Sequence, residues 1–151
     1  MRAEIVIRAA LSHEREMLEA LQWRASLANP GDRQALLANP DAINLPAGQI
    51  EDGLVLLAEA GAVCMGFAAI LPRPDGDMEL DGLFVEPGAW TKGIGRALVH
   101  HCCGLSRQMG ASHLHVVGNP HALGFYEKCG FESAGQVDTR FGSGVAMRKP
   151  L

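Results

Sequence analysis

"MELDGLFVEPGAWTKGIGRALVHHCCGLSRQMG", Met78 to Gly110, runs from an apolar strand through a proline- and glycine-bearing loop into an amphipathic helix. Met78 to Pro87 reads as a strand closed by Pro87, which has no N–H to offer a central ladder. From Ile94, apolar residues recur at Ile94, Ala97, Leu98, Leu105 and Met109, a helical stripe with Gly110 as C-cap. Gly93 and Gly95 flank Ile94 where that helix begins. A helix N-terminus carries unpaired N–H groups and partial positive charge, and glycines there let an anion reach the backbone. The same pair also suits a plain turn. Two other anion loops fail on spacing. A dinucleotide fingerprint needs a third glycine where Leu98 stands, directly after a strand. A P-loop begins correctly with Gly88 and Gly93, but Ile94 and Gly95 replace its lysine and hydroxyl.

Outward from this stretch the chain alternates strands and helices. Glu4 to Arg8 alternates as a strand, and Ser12 is expected to cap a first helix with Glu14 and Glu16 in its opening turn. That helix carries Leu18, Leu21, Ala25 and Ala28 and ends at Asn29-Pro30. The phrase "LANP" returns at Leu37 to Pro40, so two Asn-Pro stops bracket a short helix, and Asp41 to Asp52 is loop or briefly helical. Leu54 to Glu59 and the stretch ending at Pro72 form a hairpin with Ala60-Gly61 as its turn. "SHLHVV" is a short strand, and "NPHALGFYEKCG" a compact helix with Asn119 as cap, Pro120 first and Gly130 last. "FESAGQV" and "SGVAMRKPL" pair around "TRFG". No linker separates these parts, so residues 1–151 are expected to form a single domain of α/β (α+β) class.

Composition narrows the function. Charged residues are 20% of the chain and net charge is -4, which leaves no basic excess for a phosphate backbone and argues against nucleic acid. The longest near-apolar stretch, Gly61 to Leu71, is far shorter than the ~20 residues that span a bilayer, and Glu4, Arg8 and His13 interrupt any signal-peptide core. Cys64, Cys102, Cys103 and Cys129 lack CxxC spacing, which fits free thiols in a reducing cytoplasm. His113 and His115 share one strand face, but no third ligand lies close in sequence. "HHCC", His100 to Cys103, points in four directions on a helix. No metal is expected.

A strand ending "LFVEP", then "WTKGIGRALV", then "NPHALGFYEKCGF" resembles the GNAT N-acetyltransferase superfamily, strongly over Met78 to Phe131 and in element order over nearly the whole chain. The resemblance implies a mixed central sheet of about six to seven strands flanked by about four helices, two parallel central strands splaying around the cofactor. The family's loop signature is Arg or Gln, two residues, Gly, one residue, then Gly or Ala. Here Trp90, Thr91, Lys92, Gly93, Ile94 and Gly95 fill it, with Trp90 in the place of Arg or Gln. The implied anion is the diphosphate of acetyl-CoA, held mostly by backbone N–H groups, with Lys92 and Arg96 adding positive charge. The implied pantetheine arm lies along Leu83, Phe84 and Val85, where a backbone N–H polarises the acetyl carbonyl, and Asn119 touches the arm.

The resemblance further gives the chain's only tyrosine, Tyr126, a role at the departing thiolate; a core tyrosine is the competing reading. Thiol and phenol pKa values of ~8.5 and ~10 allow that donation. A glutamate six residues before the strand-terminal valine, here Glu79, serves as base in one branch of the family. Asp81, a water chain or no base at all are the alternatives. By strict alternation Glu79 and Asp81 share a face with Leu83 and Val85. Carboxylates crowd Asp75 to Glu86, favouring a cationic acceptor. The expected activity is therefore transfer of acetyl from acetyl-CoA to a primary amine of a small molecule or peptide. The alternative is a non-catalytic acyl-CoA-binding or sensor module. Edge strands of the closing hairpin offer pairing in a homodimer.

Overall fold

The computed structural model describes residues 4–90, 92–139 and 142–151. Its centre is a seven-stranded mixed sheet: β1 (Ile5–Ala9), β2 (Val55–Ala60), β3 (Val63–Pro72), β4 (Met78–Val85), β5 (His113–Gly118), β6 (Glu132–Thr139) and β7 (Gly142–Pro150). The strand order is β1-β2-β3-β4-β5-β7-β6. Every neighbouring pair is antiparallel except β4 and β5, which are parallel. The helices that flank it among the described residues are α1 (Arg15–Ala28), α2 (Pro30–Ala38), α3 (Ala47–Glu51), α4 (Ile94–Gln108) and α5 (Leu123–Lys128), in keeping with the expected architecture.

Two cores lie on opposite faces of the sheet. On one, α4 lays Ile94, Leu98, Val99 and Cys102, none more than 1% exposed, against Ala68, Ile70, Met78, Leu80, Leu114 and Val116. Full burial of each such aliphatic side chain is worth roughly 1.5–3 kcal/mol. On the other face Leu18 and Leu21 of α1 meet Val55, Leu57, Phe67 and Ala69, with Phe84 packed against them. His100 and His101 stay on the exposed side of α4 while Cys102 and Cys103 are buried, so the four residues point apart. All four cysteines are free thiols.

Local departures have identifiable causes. Ser12 does not cap α1; it opens a 3₁₀ turn, Ser12–Glu14, whose start is tied by Glu14 accepting from the Leu11 N–H at 2.8 Å. Glu14 takes this place because an ionised carboxylate accepts more strongly than a hydroxyl, and Arg8 at 2.8 Å holds it ionised and in position. The β2–β3 turn falls one residue later than expected, at Gly61-Ala62, since Gly61 takes the left-handed φ of 64° and Ala60 remains in β2. The "TRFG" turn includes residues 140 and 141, which lie outside the described residues.

The consequential irregularity is in β4. Ala69 faces Gly82 but Ile70 faces Leu80, which leaves Asp81 as an extra, bulged residue. Met78 and Leu80 pack into the α4 core, and beyond the bulge so do Leu83 and Val85. Glu79 therefore lies on the opposite face from Leu83 and Val85. Strict alternation fails because the bulge inserts one residue into the count.

Candidate active site

The bulge bends β4 away from β5. Their ladder covers only Met78–Leu80 against Leu114–Val116. Glu86 donates its N–H to Met65 O at 2.8 Å across β3, so with the register Phe67↔Phe84 the backbone groups of Phe84 also face β3. Those of Leu83 and Val85 face the opposite way, into the gap beside β5. Leu83 thus presents an N–H and a carbonyl, and Val85 an N–H, with no ladder partner among the described residues.

A cavity of about 420 Å³ opens at this gap. Leu83 and Phe84 of β4 and Val116 to Gly118 of β5 form its floor. Gln22 and Ser26 of α1, Asp32 and Leu36 of α2, and Tyr126 of α5 stand around it. Close approach depends on missing side chains: a Cβ on Gly118 would sit 3.2 Å from the Tyr126 ring, and one on Gly66 would sit 2.8 Å from Phe84 O.

Tyr126 is clamped edge-on between Phe125 and Phe131, with ring centroids 5.2 and 5.5 Å away. The side chain is half-buried and lines the cavity, and its hydroxyl makes no hydrogen bond among the described residues. Burial, with smaller contributions from Cys129 and Asp32, pushes its pKa up to about 12. The phenol therefore holds its proton at neutral pH. Asn119 accepts the Ala122 N–H at 3.0 Å and donates from its Nδ2 to Asp32 Oδ1 at 3.3 Å. It both caps its 3₁₀ turn and lines the cavity.

The two carboxylates considered as bases separate here. Glu79 is bound by Arg73 at 3.1 Å and does not line the cavity. Asp81, the bulged residue, does line it. Asp81 is exposed at the rim of the cleft, yet partial desolvation there raises its pKa from the ordinary aspartate value, and a hydrogen bond from Gln49 partly offsets this. Asp32 is raised as well, chiefly by burial, against the opposing effects of Asn119 and His121.

At the far end of β4 the glycine loop leads into α4. Gly93 is the helix N-cap with a left-handed φ of 77°. A Cβ on Gly95 would lie 3.2 Å from the Phe125 ring and 3.6 Å from Val85, so its absence lets the helix start abut β4 and α5. Ile94 is buried, while Lys92 and Arg96 are exposed. Arg96 shares a small recess of about 150 Å³ with His100, Lys128 and Lys149. Thr91 lies outside the described residues. Trp90 folds back so that its indole Nε1 donates to Val85 O at 2.8 Å, while the residue stays 48% exposed. The indole occupies one of the gap-facing carbonyls.

Some of this was not legible in the chain. Asp32 sits in a helix without a motif, and only the fold brings it to Asn119. His113 and His115 acquire a carboxylate from the β3–β4 loop: Asp77 Oδ2 is 2.9 Å from His115 Nε2 and 3.8 Å from His113 Nδ1. Asp75 stands within the same cluster. Asp77 Oδ1 also accepts from the Ser112 and His113 N–H groups, and Arg73 holds Asp75, so these groups are engaged in joining the β3–β4 loop to β5.

The acetyltransferase (GNAT) family profile matches residues 15–131. The chain belongs to that family. Solved structures agree in fold. The PaiA N-acetyltransferase of Thermoplasma acidophilum, in complex with coenzyme A, superposes with a TM-score of 0.77 at 21% identity, over 98% of this chain and 99% of that one. A GCN5-related N-acetyltransferase of Rhodopseudomonas palustris gives 0.76 at 21% identity, covering 100% and 98%. The ribosomal-protein-alanine N-acetyltransferase of Brucella melitensis gives 0.71 at 24%, covering 97% and 99%. No curated protein sequence matches the chain.

Proposed function

We propose that this protein is an acetyl-CoA-dependent N-acetyltransferase acting by direct transfer to a primary amine. The observation that carries the reading is the unpaired β4 edge at Leu83 and Val85, opening on Tyr126 at one side and on the start of α4 at the other. These groups fit an acyl-CoA: an amide-bearing arm can pair with a strand edge, and a diphosphate suits the N-terminus of α4. Arg96, Lys128 and Lys149 lie close enough to one another to favour a further phosphate. Acetyl-CoA would supply the acetyl group as a thioester.

The chain's own groups account for the remaining chemistry. A gap-facing N–H of Leu83 or Val85 donates to the acetyl oxygen, where charge develops. Asp81 takes a proton from the acceptor ammonium, freeing the lone pair that forms the N–C bond as the C–S bond breaks. Its raised pKa brings it nearer to an amine than an ordinary Asp at ~3.9. The Tyr126 hydroxyl gives its proton to the sulfur and regains one as the amide nitrogen sheds its second. The ammonium thus loses two protons: one ends on the thiol, the other leaves through Asp81. Glu79 has a weaker case, because Arg73 already holds it.

The test is thiol release from acetyl-CoA in the presence of primary amines. Tyr126→Phe should lower kcat about 10²-fold, the scale of general acid catalysis, while KM for acetyl-CoA stays within about threefold. Unchanged kcat removes Tyr126 from the mechanism. Acetyl-CoA binding without turnover of any amine assigns the chain a sensor role instead.

A further inference from the structure

Gln49, on α3, is only 5% exposed and sits where the sheet loses its regular register. Its Nε2 donates to Ile70 O at 3.0 Å, and the β3–β4 register shifts between Ala69 and Ile70. Ile70 donates its N–H to Leu54 O at 2.9 Å, but the Leu54 N–H turns to Gln49 O at 3.1 Å instead of returning the bond. The Gln49 side chain thus fills the place that a backbone N–H holds in a regular antiparallel pair. The same side chain hydrogen-bonds Asp81, the bulged residue of β4. A carbonyl and a carboxylate only accept, so the amide must turn its NH2 group to them. Its oxygen is left over: Gln49 Oε1 is buried with no hydrogen-bond partner among the described residues. An orphaned buried acceptor is costly, and methionine or leucine would avoid it. The amide is kept where its two N–H groups join β3 to the bulge. Asp81 itself is exposed at the cleft rim, and no charged group is among the influences on it. Without a tether, a rim carboxylate passes freely between rotamers.

We propose that Gln49 is a positioning residue, which pins the β4 bulge and holds Asp81 at the cavity wall to take the proton of the acceptor amine. This rests on the acetyltransferase reading above. Gln49 does not line the cavity, so it acts through Asp81 and not on the substrate.

The experiment is an NMR pH titration of the unliganded protein that follows the Asp81 carboxyl carbon and the Gln49 side-chain amide. Both should move with one midpoint, and Asp81→Asn, a change at an exposed position, should abolish the Gln49 response. Gln49→Met, similar in length but without a donor, should move the Asp81 midpoint to higher pH, because the hydrogen bond favouring the carboxylate is gone. In turnover of acetyl-CoA with a primary amine, the acidic limb of kcat/KM should move up in step, lowering kcat/KM on that limb about tenfold. A Gln49 that only supports the fold would lower Tm and leave midpoint and limb in place. An amide that does not respond to Asp81, or a midpoint or limb unmoved in Gln49→Met, overturns the inference while leaving the acetyltransferase reading intact. Should Gln49→Met fail to fold, the shared midpoint in the unaltered protein decides. Thiol release with none of the amines overturns both.

Discussion

At the scale of single residues, the side chain that departs from the family's loop signature is the one whose contact most directly concerns the site. Trp90 spends its indole N–H on Val85 O, 2.8 Å away, at the edge where an incoming amide arm would bind. A ligand that needs this carbonyl must displace the indole. Such a hydrogen bond is worth about 0.5–1.5 kcal/mol net, or roughly two- to tenfold in affinity. Trp90→Phe keeps an aromatic ring but no donor, so coenzyme A should bind two- to tenfold more tightly, as read by calorimetry. Weaker binding would instead make the indole a contact for the cofactor. Glu79 and Asp81 teach the complementary lesson. They are two positions apart and chemically alike, yet one is neutralised by Arg73 and the other faces the cavity.

Elements succeed or fail here by how closely they approach. The β3–β4 ladder needs Gly66, because a Cβ there would lie 2.8 Å from Phe84 O, a backbone atom that cannot move aside. Gly66→Ala should lower stability by about 1–3 kcal/mol, the usual cost of overpacking. It should also weaken coenzyme A binding, because Phe84 lies between the two gap-facing residues. Thermal unfolding and calorimetry check the two parts. The start of β5 depends on Asp77, which accepts two backbone N–H groups and faces His115. That hydrogen bonding, His115 foremost, holds the Asp77 pKa down at about 2. A depressed carboxylate stabilises the fold above its unfolded value of ~3.9, and that contribution is lost as pH falls through the folded value. Asp77→Asn should therefore lower Tm at pH 7 and flatten the loss of Tm between about pH 4 and pH 2. An unaltered acid limb in the variant would show that Asp77 does not govern it.

Across the whole molecule the site belongs to neither core alone. Phe84 packs into the α1 core, whereas Leu83 and Val85 pack into the α4 core, so a ligand along β4 touches both faces of the sheet. Its occupation should stabilise the native chain as a unit. Coenzyme A at 100 times its Kd should add about 2.7 kcal/mol and raise Tm in a single transition. Two separated transitions, with only one responding, would mean that the cores unfold independently.

What the amino-acid sequence determined by itself is the order of elements and the position of the glycine loop. Periodicity and breakers are local: the stripe of α4, the Asn-Pro stops around α2 and the cap at Asn119 are set by neighbours within a turn or two. Tyr126 and the β4 backbone could be singled out for the same reason, since each lies inside a contiguous motif. Only the tertiary structure decided which carboxylate faces the cavity, that Asp32 joins Asn119 from 87 positions away, and that Trp90 closes Val85 O. The physical reason is that the Asp81 bulge shows only in the register against β3. The partial desolvation that raises Asp32 and Asp81 likewise arises at a cavity wall that α2, β4 and α5 line together, a convergence that no local spacing in the chain encodes.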